Sequence, residues 1–543
     1  MCGTVVHAVV FPVSTARILR ARLAAALQDA QAVCIDALAA DDAGRTAPDR
    51  RKLATAINEL HELLLHARYE GTYLRGQLEA IQWTLALVER IMPLSLAVDD
   101  RLSELARLDP LQEGIEPFLR ETQSWFAAAA EEPRQQMAQM QRLQQHCDAL
   151  RPAIAPGLTW RDALTCNLLD RVRELIALKG AILRLRDRVE GARGPAHPTA
   201  ERSAALVGRR RWRPMERDWR GAAGASLAVM ATVFVGNAAW IASGWLTGYS
   251  AVMMAGVYFS IYSATPDPSQ MLKNKFVGVV LRLLLGMVYV VLILPAISDF
   301  GALVLAMAPA LLLSGLMMGT PRFSAMGFNF VVGVFSPNII DRSFHADFQL
   351  YLNAGIATLI GIYYAMLMVS LTRFLWVDGM VRRTLAAGRR DIASLRHLSP
   401  AAQPLWRSRM AHRIGLLTLR MASSPTGGPP EDALRDMMTG GALAQLHAVS
   451  QTAPAAQQKA LQALVHRIAE HYRALQRAPQ LRAPPALHEQ IDHCLTLVLA
   501  TAEIDPGALS ALTSLRRNLF PEDHSAPAGM GGPDPAHPRA GLA

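Results

Sequence analysis

Five residues carry most of the chemistry this sequence offers: Asn237, Trp245, Arg282, Asn329 and Asn353. Each lies in or beside a long apolar run, where a polar group is costly unless it is paired or faces water. Two readings stand for each asparagine. It lines a polar route between helices, or it joins helices through side-chain hydrogen bonds. Arg282 follows Lys275 by seven residues, about 10 Å along a helix. It either extends back to a membrane surface or meets an anion in a cavity. Trp245, with Trp240, suits an interface belt or a ligand-stacking surface. Gly327, Gly333 and Pro337 interrupt the run around Asn329. Such breaks free backbone groups for a substrate in transporters, or kink a structural helix.

Catalytic and metal-ligating patterns are missing. In His61-Glu-Leu-Leu-Leu-His66 the histidines are five apart, whereas a zinc pair on one helical face is four apart. His488 and His493 share that spacing. Gly427-Gly428 and Gly440-Gly441 stand outside any phosphate-cradling Gly-Lys frame. No Ser-His-Asp or Cys-His arrangement stands out, so neither catalytic residues nor a metal nor a cofactor is expected. Cys2, Cys34, Cys147, Cys166 and Cys494 are odd in number and widely spaced. That argues for free thiols rather than a disulfide framework or zinc cluster.

The polar residues need membrane helices to position them, and the chain supplies six candidates. It has 543 residues, 51% of them hydrophobic, with a net charge of +10. Mean hydropathy is +0.17, which suits a chain that is part membrane and part soluble. Runs at 221–246, 249–264, 276–297, 300–319, 323–340 and 350–372 are uncharged or carry a single Arg. About 20 apolar residues cross a bilayer core; the fifth run is marginal. Between Trp219 and Arg373 the carboxylates are Asp267, Asp299, Asp341 and Asp347, all in loops or at span ends. An acidic proton carrier is therefore not expected within the apolar runs.

Charge fixes the expected orientation. Arg209, Arg210, Arg211, Arg213, Arg217 and Arg220 precede the first run, and Arg373, Arg382, Arg383, Arg389 and Arg390 follow the sixth. Lys273, Lys275 and Arg322 fall in the loops of the same side, while the alternate loops carry Arg342 beside Asp341 and Asp347. The positive-inside rule then predicts both termini in the cytoplasm. The basic excess is explained by these loops, so no nucleic-acid partner is expected.

The fold expected is all-α: a six-helix transmembrane bundle, 219–376, flanked by two cytoplasmic helical domains, 13–190 and 377–520. The flanking segments repeat apolar residues at three- and four-residue steps, and no stretch alternates like a strand. Residues 191–218 read as a linker with a basic cluster, and 521–543, rich in Gly, Pro and Ala, as a disordered tail.

Five segments in order, ERDWRGA at 216–222, WIASGW at 240–245, ATPDP at 264–268, LILPAISDF at 292–300 and FNFVVGVFSP at 328–337, resemble the fusaric acid resistance, or aromatic acid exporter, family. The resemblance implies an inner-membrane efflux protein for aromatic or other organic acids. It implies two six-helix halves, each followed by a cytoplasmic helical domain, and a periplasmic adaptor protein as partner. Residues 5–23 resemble the end of the sixth helix of a first half, making 1–12 a remnant of that helix. On this resemblance the start at Met1 is misassigned, the gene is truncated, or the first half is supplied as a separate chain, and a pore of paired halves needs that partner or a second copy of this one. On this reading Arg282 meets the substrate carboxylate, and Asn237, Trp245, Asn329 and Asn353 line the route. An ion gradient is the expected energy source, and a passive anion channel or a non-transporting scaffold the alternative.

Overall fold

The computed structural model describes residues 15–39, 46–67, 75–108, 110–128, 133–155, 157–190, 219–262, 268–297, 299–319, 327, 348–395, 406, 409–410, 413, 431–478, 480–501, 504–527 and 530. Among them there are helices, turns and no strand, in agreement with the all-α expectation. They divide into two compact units: Met1–Met215 with Val381–Ala543, and Glu216–Met380.

The first unit is built from both ends of the chain. From the N-terminal side come α1 (Thr15–Leu38), α2 (Thr46–Ala67), α3 (Arg75–Leu108), α4 (Ile115–Ala127), α5 (Pro133–Ala149) and α6 (Trp160–Glu190). The start of α6 is written locally as a reciprocal cap. The Asp162 amide donates to the Thr159 hydroxyl, and the Thr159 amide donates to the Asp162 carboxylate, both at 3.2 Å. Helix α3 is long and apolar enough to cross a membrane, yet 78% of its apolar window is buried inside the unit. It also carries Glu89, Arg90, Asp99, Asp100, Arg101 and Glu104. It is a core helix, packed against α6 and α1.

In the second unit, α7 (Trp219–Ser243) and α8 (Gly248–Tyr262) are joined by a tight turn with Gly244 at φ 63°. Helix α9 (Pro268–Val288) continues through a π-turn at Tyr289–Ile293 and a 3₁₀ turn at Leu294–Ala296. Then come α10 (Phe300–Gly319) and α11 (Phe348–Ala393). Four of the six expected runs are helices of spanning length and hydropathy, at Ala222–Ser243, Met271–Ala296, Phe300–Met318 and Tyr351–Thr372. The second run is α8, whose 15 residues span about 22 Å, less than the hydrocarbon thickness. The fifth run, with Asn329, lies outside the described residues except for Gly327. The segments 1–12 and 191–218 lie wholly outside them; of the tail at 521–543, residues 521–527 and 530 are described, with Met530 buried and Asp523 3.0 Å from Arg516.

Exposure separates the two units. Every strongly exposed large hydrophobic residue among those described falls between Leu227 and Leu371, apart from Ile18 and Leu481. Water would not tolerate so continuous an apolar surface, whereas lipid tails cover it at no cost. Small residues let the helices inside meet. A Cβ on Gly361 of α11 would lie 2.5 Å from the Ala251 carbonyl oxygen of α8, and one on Gly286 of α9 would strike the Tyr351 hydroxyl.

The C-terminal helices α12 (Glu431–Ser450), α13 (Ala455–Arg477), α14 (Pro485–Leu499) and α15 (Pro506–Leu519) complete the first unit. Asp505 caps α15, accepting from the Gly507 and Ala508 amides at 2.7 and 3.3 Å, and Pro506 opens the helix. Helix α12 packs on α3 and α15 packs on α6, so one hydrophobic core runs through both segments. The helices expected as two flanking domains therefore share a single core.

A buried polar network joins them. Arg101 of α3, 1% exposed, pairs with Asp100 at 2.9 Å and donates to Asn167 of α6 at 3.1 Å and to Asn518 of α15 at 3.3 Å. Arg517 pairs with Asp100 and Glu104 at 3.1 and 3.3 Å. The Asn167 amide donates to the Ser510 carbonyl at 2.9 Å. Burial would raise the Asp100 carboxyl, but the charges of Arg101 and Arg517 outweigh it and hold it below the usual carboxylate range.

Candidate functional site

Helix α9 carries the two cations of the membrane unit's described interior. Seven residues are close to two full turns, so Lys275 and Arg282 share one face of α9, about 10 Å apart along its axis. Arg282 is half-buried, and its Nε is buried without a hydrogen-bond partner. It lies within electrostatic reach of Lys275, of Tyr258 on α8 and of Tyr351 on α11. The Lys275 Nζ stands 5.3 Å from the centroid of the Tyr258 ring. Tyr258 in turn stacks on Tyr262, with ring centroids 6.2 Å apart and planes at 29°.

The packing below explains why these groups meet. Phe259, Leu272, Val279, Ile362 and Val369 form a small core among α8, α9 and α11, with Tyr258 and Tyr262 against it. Tyr351 leans over Gly286 and donates its hydroxyl to the Leu283 carbonyl at 3.0 Å, one residue from Arg282. The spanning parts of α7, α8, α9 and α11 contain no Asp or Glu. On α10 the first turn has Asp299 beside it, and that carboxylate caps the helix through the Ala302 amide at 2.7 Å. Among the described residues, those stretches supply no carboxylate of their own to Arg282. Two positive charges 10 Å apart repel by about 2 kcal/mol at an effective dielectric of 20. An anion bound beside Arg282 would accept the hydrogen bond that its buried Nε does not make.

The other residues singled out from the sequence fall elsewhere. Asn237 lines an open groove of about 540 Å³ between α7 and α8, with Val229, Val233, Tyr249, Val252 and Ser260. Its amide N–H donates back to the Val233 carbonyl at 2.9 Å. Trp245 belongs to the turn joining α7 and α8, where its carbonyl accepts the Trp240 indole N–H at 2.7 Å. That turn adjoins Gly248, ten residues before Tyr258 on α8, or about 15 Å of helix. Asn353 is half-buried two residues after Tyr351, on the opposite side of α11. Asn329 lies outside the described residues.

Tyr258, Tyr262 and Tyr351 were not singled out in the sequence. A signal existed for the first two, which are four residues apart and so one turn apart on a helix. Tyr351 had none, because its partner Leu283 is 68 residues away.

Two histidines of these patterns, His61 and His488, have polar neighbours. His61 places Nε2 at 3.1 Å from Glu89 and donates Nδ1–H to the Ile57 carbonyl at 3.0 Å. His488 is flanked by Asp492 and Asp523. Among the described residues no three His, Cys, Asp or Glu side chains converge to hold a metal. Cys34, Cys147, Cys166 and Cys494 are buried and free. Burial pushes Cys34, Cys147 and Cys494 up to about 12.

The arrangement is that of a helical membrane protein with cations and tyrosines at helix crossings. Comparison with known proteins is consistent with this. The model of the fusaric acid resistance protein family matches residues 1–526, and the chain belongs to that family. Two curated relatives are similar over a shorter stretch. Both are p-hydroxybenzoic acid efflux pump subunits AaeB, one of Pantoea ananatis (strain LMG 20103), 26% identical over 141 residues, and one of Erwinia billingiae (strain Eb661), 23% identical over 140 residues. Each alignment covers 26% of this chain and 21% of the relative, so the matched stretch spans about a fifth of those proteins. No solved structure matches the chain.

Proposed function

We propose that this chain is a membrane component of an efflux system that exports aromatic or other organic acids from the cytoplasm. The observation that carries this reading is Arg282: a half-buried guanidinium with an unpartnered Nε, in a family of fusaric acid resistance proteins, on a helix without carboxylates. The substrate is a small aromatic carboxylate. Arg282 receives the carboxylate, and Asn237, Asn329, Asn353 and Trp245 line the route. The efflux subunits to which the chain is similar support the substrate class. An inner-membrane location with cytoplasmic termini, drive by an ion gradient, a periplasmic adaptor, and assembly with a separate six-helix half or a second copy belong to the same proposal.

The test is uptake of labelled p-hydroxybenzoate into inverted membrane vesicles. Wild-type protein is expected to concentrate the acid, and a protonophore to abolish the gradient. Arg282→Ala is expected to reduce uptake at least tenfold, equal to about 1.4 kcal/mol or more of lost interaction, while the protein stays in the membrane at wild-type abundance. Normal uptake by that variant overturns the role of Arg282. A passive anion channel has one observation in its favour, the lack of Asp, Glu or His on the described spans. It predicts equilibration that a protonophore leaves unchanged.

A further inference from the structure

We propose that the groove between α7 and α8 binds an aromatic acid in its neutral, protonated form, entering sideways from the bilayer, with the carboxyl group paired to the Asn237 carboxamide. The inference rests on the export reading above and gives Asn237 a ligand form and a direction of entry.

Three observations converge on Asn237. Its carboxamide is anchored at one point, where an N–H donates to the Val233 carbonyl at 2.9 Å. A carbonyl accepts only from a donor, so this bond also fixes which end of the amide is nitrogen. Among the described residues its Oδ1 and second N–H then have no protein partner. Next, the groove around it, about 540 Å³, is lined by no charged residue, and its Ser260 already donates to the Gly256 carbonyl at 2.7 Å. The basic cluster that precedes α7 ends at Arg220, seventeen residues before Asn237, about 25 Å along the helix. Finally, the groove is open, and its residues Met253, Val257 and Ile261 are among the exposed apolar side chains that lipid covers.

The lining selects the form of the ligand. A carboxylic acid that keeps its proton presents an O–H donor and a C=O acceptor side by side. A primary carboxamide presents the complement, and the two close a ring of two hydrogen bonds without any charge. An ionised carboxylate has no donor for Oδ1, and finds no cation in the lining to offset its burial. A lipid tail fills the groove but leaves Oδ1 and the N–H unmatched. The ring of a one-ring acid lies among Val233, Val252 and Met253. The neutral acid is also the form that dissolves in hydrocarbon. It takes its proton from bulk water before entering, so no residue of α7 or α8 has to supply one. Arg282 is not in this lining: it serves the ionised acid, and the groove serves the neutral one.

The test uses labelled benzamide, a neutral mimic of benzoic acid that does not ionise, with the full chain in nanodiscs and empty nanodiscs as background. Wild type is expected to bind benzamide equally at pH 5 and pH 8. Asn237→Leu should raise its Kd about tenfold, equal to about 1.4 kcal/mol, and Asn237→Gln, which keeps the carboxamide, should bind more tightly than Asn237→Leu. Benzoate should displace benzamide from wild type far better at pH 5 than at pH 8, because the neutral fraction of an acid falls about tenfold per pH unit above its own pKa, which for a carboxyl is near 4. That measurement needs no variant to fold. Binding no greater than in empty nanodiscs overturns the site and leaves the groove to lipid. Wild-type affinity in Asn237→Leu, or displacement by benzoate that is equal at the two pH values, overturns it as well. If benzamide binds in an Asn237-dependent way but inverted vesicles move no acid, the export reading fails and the groove site stands.

Discussion

At the residue scale, what matters is which side chains have partners. Arg282 keeps an unpartnered Nε, whereas the histidine of the apparent zinc-like pattern is fully engaged. Both ring nitrogens of His61 point at oxygens, Glu89 and the Ile57 carbonyl, an arrangement that only the protonated ring satisfies completely. Burial lowers its affinity for a proton, but the bond to and charge of Glu89, with the Ile57 carbonyl, outweigh that and leave the ring above its usual value. The sign follows from linkage. The stabilisation is complete below the ordinary histidine value near 6.5 and is lost as pH rises through the raised one. The protection of amides across Thr46–Ala67, taken relative to their intrinsic exchange rate at each pH, is expected to fall on going from pH 6 to pH 9 in the full chain. Protection in His61→Gln should change much less over that range. The sequence shows that His61 and His66 are wrongly spaced for zinc. It cannot show Glu89, because a contact between two helices leaves no local pattern.

At the element scale, the membrane helices were legible and their crossings were not. Apolar runs announce spans because length and hydropathy are local properties. Helix α3 shows the limit of hydropathy alone: it passes the same threshold, but its charged residues and buried surface make it a core helix. The crossings depend on glycines whose neighbours lie far away in sequence. At Gly361 an added methyl group meets the backbone of Ala251 at 2.5 Å, whereas at Gly315 of α10 nothing lies within 4 Å. A backbone atom cannot swing aside as a side-chain end can. Gly361→Ala is therefore expected to force α8 and α11 apart at a cost of about 1–3 kcal/mol, and Gly315→Ala to be tolerated. Monodispersity and thermal stability of the detergent-extracted variants check this pair. Equal behaviour would mean that α8 and α11 do not cross as described.

At the scale of the whole molecule, both ends of the chain build one hydrophobic core. Composition and periodicity identified the helices on each side of the membrane segment but gave no hint that they pack together, since Arg101 and Asn518 are 417 residues apart. Asp100 is the charge on which this junction turns, facing Arg101 and Arg517 at once. Asp100→Ala leaves the buried Arg101 without its counter-ion and Arg517 with Glu104 alone, and is expected to cost about 3–5 kcal/mol, read as a lower Tm and faster exchange in both α3 and α15. In wild type the carboxyl is held below its ordinary range. Its contribution is present above the ordinary aspartate value near 4 and is lost as pH falls through the lowered one.

The shared core also sets a timetable for biogenesis. Arg101 leaves the ribosome 417 residues before Asn518, which at 5–20 residues per second is roughly 20–80 s. During that interval the nascent N-terminal helices hold an unfinished apolar face and uncompensated buried charges while the membrane segment is inserted. A holding chaperone has its natural client there. Chains cut short before α15 lack the helix that closes this core on α6, and are expected to expose its apolar surface and to be cleared faster than the full chain in a pulse-chase measurement.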